Sequence, residues 1–313
     1  MNHLIRYITA AVLLLAVSKI WSQGRIMPVI ETTASPLSLS TGGTRLGSQS
    51  SAYIYTHPAS AIGINTLAAD YALSVTTSEG PNLTLHAPTV AVAAGRGVVL
   101  VGFRYLAMGQ LSTVYDEQGQ LQPGQTITMK SYTVDGGYAL PLGSHLSAFA
   151  TIGYAAQRTG TNINAVYGSL GASYADSTHI GSHCLRYDVA ATFSQLGGYS
   201  YSGSSGSLSP RLALGGSARL STLRGQYLHI YIEGAQYFKA GRAKSSNELS
   251  GGIGYTLCEH YSLFVGGHAG DHDPAVSTGL SVRLRPVTVS LSARFGTQSD
   301  SNNIYMAGVS LRL

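Results

Sequence analysis

Charge is what this chain has least of. Only 11% of its 313 residues are Asp, Glu, Lys or Arg, under half the quarter usual in soluble domains. So few ionised side chains cannot cover an exterior of this size in the normal way, so much of that exterior must face something other than water. Cysteine is nearly absent too. Cys184 and Cys258 alone make no disulfide framework and read as unpaired wall or turn residues. Past the N-terminus, no apolar run approaches the roughly 20 residues of a membrane-spanning helix, so insertion into a bilayer would have to be by strands. A basic stripe with interleaved aromatics is also missing. The arginines are spread along the chain and the formal net charge is +5, which excludes a nucleic-acid partner.

The N-terminus supplies an address. His3 and Arg6 precede an apolar core at Ile8–Val17, and Ser18 or Ser22 can end a cleavage site with Gln23 as the new N-terminus. Residues 1–22 thus read as a cleaved signal peptide. Residues 23–66 read as an N-terminal periplasmic or hatch segment, and residues 67–313 as the barrel.

What the chain does have is a two-residue alternation. Leu185, Tyr187, Val189, Ala191 and Phe193 fall on one face of a strand, and Arg186, Asp188, Ala190, Thr192 and Ser194 on the other. Comparable runs lie near 67–76, 83–94, 98–107, 127–140, 146–156, 164–174, 185–194, 211–220, 226–238, 249–258, 260–269, 275–284, 287–295 and 303–313. That is about fourteen strands, each near the 9–11 residues a tilted strand needs to cross a bilayer. Tight links such as Gly95–Gly97, Pro141–His145, Glu259 and Arg285–Pro286 alternate with longer polar ones at Met108–Thr126, Gln195–Pro210 and Lys239–Glu248. Residues 175–184 are the exception, being long for a turn. Short turns at one end and long loops at the other, with 20 tyrosines suited to membrane boundaries, predict an all-β, transmembrane antiparallel barrel in the outer membrane, with lipid as its surroundings. Val99, Val101, Phe103 and Tyr105 are expected outward, with Leu100, Gly102 and Arg104 inward. A ring this wide is not filled by its own side chains, and Ser35–Asn65, rich in small residues, is long enough to fold inside as a hatch.

Chemistry-bearing clusters are sparse. His268 with Asp271, His272 and Asp273 holds metal-ligand types, yet Gly270 and Pro274 mark the same stretch as a surface turn. His179 and His183 lack a helix to align them, so no metal site is assigned. No Gly-x-Ser-x-Gly elbow occurs; no catalytic residue and no cofactor is expected, and the chain reads as a non-enzyme. Arg104, Asp135, Arg186, Asp188, Arg211 and Glu233 are candidate lumen charges, with pairing to offset their burial. Tyr115, Asp116 and Glu117 on one outer loop, and Tyr199 and Tyr201 on another, are candidate partner contacts.

Three stretches resemble the PorV/PorQ family, relatives of FadL-type outer-membrane barrels. The first is Gly43-Thr44-Arg45-Leu46-Gly47 followed by Thr56-His57-Pro58-Ala59, similar to a family segment ending in Asn-Pro-Ala, with His57 where Asn is usual. The second is Val101–Gly109 with Tyr115-Asp116-Glu117-Gln118-Gly119. The third is Val134-Asp135-Gly136-Gly137-Tyr138 before a Pro-Leu-Gly turn. The resemblance implies a fourteen-stranded barrel with an N-terminal hatch. It also implies assistance to type IX protein secretion or surface attachment, through binding of secretion-machinery or cargo proteins. The alternative is a FadL-like transporter of small hydrophobic molecules, which needs an apolar pocket beneath the outer loops.

Overall fold

The computed structural model describes residues 27–77, 82–111, 114–115, 121–122, 127–160, 162–223, 225–241, 243–270, 274–298 and 302–313. The expected signal peptide, Asp116, Glu117 and Asp271–Asp273 lie outside these residues.

Fourteen strands build the wall: β1 Leu67–Thr77, β2 Leu83–Ala94, β3 Gly97–Leu111, β4 Ile127–Pro141, β5 Leu146–Arg158, β6 Asn162–Ile180, β7 His183–Tyr201, β8 Arg211–Leu223, β9 Gln226–Tyr237, β10 Ser246–Leu257, β11 Tyr261–Gly270, β12 Ala275–Leu284, β13 Val287–Gly296 and β14 Asn303–Arg312. Each pairs antiparallel with its chain neighbours. β1 closes the ring on β14, with Tyr71 opposite Val309. Closure removes every edge, so all wall backbone groups can bond within the sheet, as a span through hydrocarbon requires.

The side chains sort as the alternation demands. Val99, Val101 and Phe103 are exposed on the outside of β3, whereas Leu100 and Arg104 are buried inside. The outward row includes Ile152, Val166, Leu214, Ile232, Ile253, Val265 and Val309. Aromatic residues flank this aliphatic band at two levels. Tyr138, Tyr174 and Tyr261 lie toward the short-turn end, and Tyr154, Phe238, Phe295 and Tyr305 toward the long-loop end. Two such girdles mark the interfaces of outer-membrane barrels.

Two connections differ from expectation. Residues 175–184 are mostly strand: β6 runs to Ile180 and β7 starts at His183, leaving Gly181 and Ser182 as the turn. The stretch Asp176–His179 shows no apolar alternation, so only the backbone register, such as Thr178 opposite Leu185, reveals the pairing. The expected link Gln195–Pro210 is also partly strand, since β7 extends to Tyr201 and Ser204–Ser207 folds back on it. Cys184 and Cys258 are free thiols.

Inside the ring lies the chain from Met27 to Thr66. It holds two short helices, α1 Pro28–Glu31 and α2 Pro36–Ser40, each started by a proline, and two 3-10 turns at Tyr53–Tyr55 and Pro58–Ala61. Proline suits these first turns because its missing N–H would have no partner there; Ser35 caps α2 by accepting from the Ser38 amide. α2 touches β11–β14, α1 touches β3 and β4, and the 3-10 turns touch β2–β5. A segment in contact with opposite sides of a closed ring occupies its interior.

Close approach needs glycine at two places. Gly42 has φ +76° and sits against the backbone of Gly267, and a Cβ on Gly266 would overlap the Gly42 nitrogen and Thr41. The Gly266→Ala variant should therefore loosen the inner segment at a cost of about 1–3 kcal/mol. Limited proteolysis should then cut faster within residues 27–66 while the barrel keeps its heat-modifiable migration on gels.

Candidate functional site

Alternation places one inward carboxylate on β9 and one on β4, and each anchors the inner segment. Glu233 on β9 is 2% exposed. It accepts from the Arg45 amide at 2.6 Å, the Leu46 amide at 2.7 Å and Arg211 Nη2 at 2.5 Å. Arg211 also lies near Glu248, with Nε 3.9 Å from Oε2, and against the Tyr237 ring. Arg45 reaches back to donate to the Glu31 carbonyl at 2.6 Å. This one ion pair thus fixes the Gly43–Gly47 motif to the wall.

Asp135 on β4 is the second anchor. It accepts from Tyr55 at 2.9 Å, Tyr167 at 2.5 Å and Thr133 at 2.6 Å, with Arg104 Nη2 at 3.8 Å. Arg104 donates to the Ile30 carbonyl at 2.9 Å and lies over the Tyr55 ring at 4.1 Å. Gly102 and Gly153 stand opposite Asp135 on the neighbouring strands. Their missing side chains leave the room that the Tyr55 and Tyr167 rings fill.

The Thr56-His57-Pro58-Ala59 motif is an internal clasp. Thr56 Oγ1 donates to the Ala52 carbonyl, Pro58 opens a 3-10 turn, and Ala59 packs with Val98, Leu100 and Phe149. His57 Nδ1 lies 2.8 Å from the Gly47 carbonyl. A carbonyl only accepts, so Nδ1 carries the proton and Nε2 stays bare, buried edge-on to Phe149. Burial holds the His57 pKa below its ordinary value. The folded state therefore takes up this proton less readily than the unfolded chain, and the stability so conferred is present above pH 6.5 and lost as pH falls through the folded value. Acidification from about pH 7.5 to 5 should lower the hydrogen-exchange protection factors around Gly47–Ser60, measured against the intrinsic rate at each pH, and His57→Asn should remove that dependence.

Of the six expected lumen charges, Arg104 with Asp135 and Arg211 with Glu233 are brought together. Asp188 and Arg186 are not. Asp188 accepts from the Ser217 amide and hydroxyl, because i and i+2 on one strand face point side by side rather than at each other. Arg186 stands directly opposite Arg219. Tyr199 is half-buried against an apolar cluster rather than offered to a partner; Tyr201 is exposed at the strand end. Tyr115 lies in a two-residue strand paired with Leu121–Gln122. His268 belongs to β11 and not to a turn, and its Nδ1 bonds the Ser250 hydroxyl; His183 bonds the Ser221 carbonyl. Asp70 escaped sequence reasoning: it accepts from the Ala52 amide and Thr89. Its signal was a lone carboxylate on the inward parity of β1.

Above these anchors, toward the long loops, the lumen turns apolar. Leu85, Leu106, Met108, Leu208 and Met306 enclose Met27, Val29 and Ile30, with Leu83, Met129, Ile163 and Ile304 packed around them. The cavity of about 70 Å³ beside Ile30 and Phe149 belongs to the polar level below, since Arg45, Arg104, Asp135 and Arg211 also line it. The inner chain's own α1 fills a greasy chamber.

No model of a known protein family matches this chain, and no curated protein matches it. Solved structures do. The toluene transporter TodX of P. putida is 11% identical, with a TM-score of 0.58 over 91% of this chain and 99% of that one. The Ralstonia pickettii toluene transporter TbuX gives 11%, 0.57, 91% and 99%. A FadL homologue of Pseudomonas aeruginosa gives 8%, 0.48, 90% and 98%. At such identities the likeness is one of architecture: the chain has a closed fourteen-stranded antiparallel barrel fold like that of TodX and TbuX.

Proposed function

We propose that the protein passes small hydrophobic molecules across the outer membrane. The observation that carries this reading is the apolar chamber beneath the long loops, occupied by Met27, Val29 and Ile30 of the inner segment. A hydrophobic guest would keep the chamber wall buried at roughly 25 cal/mol per Å², and its own burial offsets what Met27, Val29 and Ile30 lose on leaving. Tyr55, Asp135, Arg45 and Glu233 then hold the hatch below the chamber against leakage, and passage requires that hatch to shift. TodX and TbuX are described as toluene transporters, so toluene is the first probe. Proteoliposomes carrying the protein should take up toluene faster than empty ones, and deletion of residues 27–31 should raise the rate. Equal uptake with and without protein across a panel of hydrophobes would reject the reading.

The PorV/PorQ resemblance supports a second role, binding of secretion-machinery or cargo proteins at the rim. One observation favours it: the hatch touches opposite walls of the ring, as a scaffold allows and a channel must relieve. Pull-down from detergent extracts should recover those partners. Their repeated absence, with normal cargo export after deletion, would reject this role.

A further inference from the structure

We propose that the short-turn half of the lumen is an anion site for a small, multiply charged oxyanion of the phosphate type. Even strand number and the segregated loops put this end on the periplasmic side, well below the apolar chamber. There Arg219, Arg283 and Arg312 line one cavity of about 220 Å³ together with His229, Thr256 and Ser290. All three arginines hold the inward parity of their strands, in step with Ser217, Ser277 and Ser310. Among the described residues no carboxylate lines this cavity, and none stands within ion-pair distance of these guanidinium groups.

The carboxylates nearby hold other partners: Asp70, the one nearest Arg312, accepts from the Ala52 amide and Thr89. Asp176 and Asp188 line a separate cavity of about 450 Å³, which Arg186 and Arg219 also border. Asp188 is held by Ser217, and Glu259 pairs with Arg285 at an exposed turn. Arg219 also opposes Arg186 across the β7–β8 pair, and like charges directly opposite destabilise a sheet. The contacts of two of the three are to uncharged groups: Arg312 donates to the Ser50 carbonyl and Arg219 lies over the Tyr227 ring. Three guanidinium groups border one cavity at the short-turn mouth of the ring, Arg283 and Arg312 exposed to water there, and Asp70 and Glu259 act on them only from beyond ion-pair distance, so an anion can complete the seat. Their planar forks match paired oxygens, and the surrounding hydroxyls and imidazole add neutral donors. The volume admits a compact ion, with Leu37, Phe264 and Leu291 forming the apolar side of the cavity. This inference stands apart from the transport reading, which concerns the opposite half of the lumen.

Titration calorimetry of the full-length protein in detergent at low ionic strength, with pyrophosphate as the probe, tests it. One-site binding is expected, and Arg219→Gln combined with Arg283→Gln should weaken it about tenfold or more. Retained heat-modifiable migration checks the fold, and Arg283→Gln alone reads the same loss if the double variant does not assemble. Absence of binding to the native protein, or undiminished binding to the variant, would overturn the proposal. Binding of a soluble short-chain phosphatidylglycerol without binding of pyrophosphate would overturn it also, assigning the seat to a lipid headgroup.

Discussion

Glu233→Ala is expected to destabilise the protein by about 3–5 kcal/mol, the range for breaking a buried ion pair from one side. The change strands three donors at once. Arg211 is 3% exposed and loses its short contact, and the Arg45 and Leu46 amides lose the acceptor that ties the inner segment to β9. Glu248 sits 3.9 Å from Arg211 Nε and compensates only in part. The barrel wall itself keeps all its backbone pairs, so the loss should show first in the hatch. Hydrogen exchange should rise across residues 43–48 before any change in the strands, and protease should reach the inner segment. A Glu233→Gln substitution keeps acceptor geometry but not charge and should fall between the two. A wild-type exchange pattern in Glu233→Ala would mean that the hatch is seated by packing alone.

The second large effect concerns the outside. Val265→Arg places a cation at the middle of β11, where Val265 is 60% exposed on the outward row between Ile253 and Thr278. If that row faces hydrocarbon, the substitution should cost about 2–4 kcal/mol in a bilayer, falling toward zero when an equivalent change is made near either girdle. Tyr261→Arg, at the short-turn girdle, should therefore be milder by a factor of several. Urea titration of refolding into phospholipid vesicles measures both. In water the difference would vanish, since an arginine at an exposed position costs little at either site.

The wall was legible because its code is local. Val99, Val101 and Phe103 alternate with Leu100, Gly102 and Arg104, and nothing beyond the strand period is needed to assign their faces. The failures occurred where that code goes silent. Asp176–His179 are polar on both faces, so the alternation stops near residue 174 although the strand continues to Ile180. The anchors were half legible. Inward charges on β3, β4, β8 and β9 could be named from parity, but their partners could not. Glu233 meets Arg45 from 188 positions earlier in the chain, and Tyr55 meets Asp135 across 80. Such contacts are set by how the inner segment coils, which its non-periodic sequence does not encode in any short-range pattern. Arg186 shows the same limit from the other side. It sits two residues from Asp188, the obvious partner by sequence, yet the strand directs it toward Arg219 instead.

Everything rests on the outward row touching hydrocarbon around a closed ring. Nitroxide labels at single cysteines decide this, with Cys184 and Cys258 first replaced by serine. In liposomes, labels at Val101, Ile253 and Val265 should collide readily with dissolved oxygen and hardly at all with a water-soluble nickel chelate. Labels at Tyr201 and Glu259, beyond the two girdles, should do the opposite. Free access of the chelate to all three mid-strand positions would show the band bathed in water, and the membrane-spanning barrel would have to be abandoned.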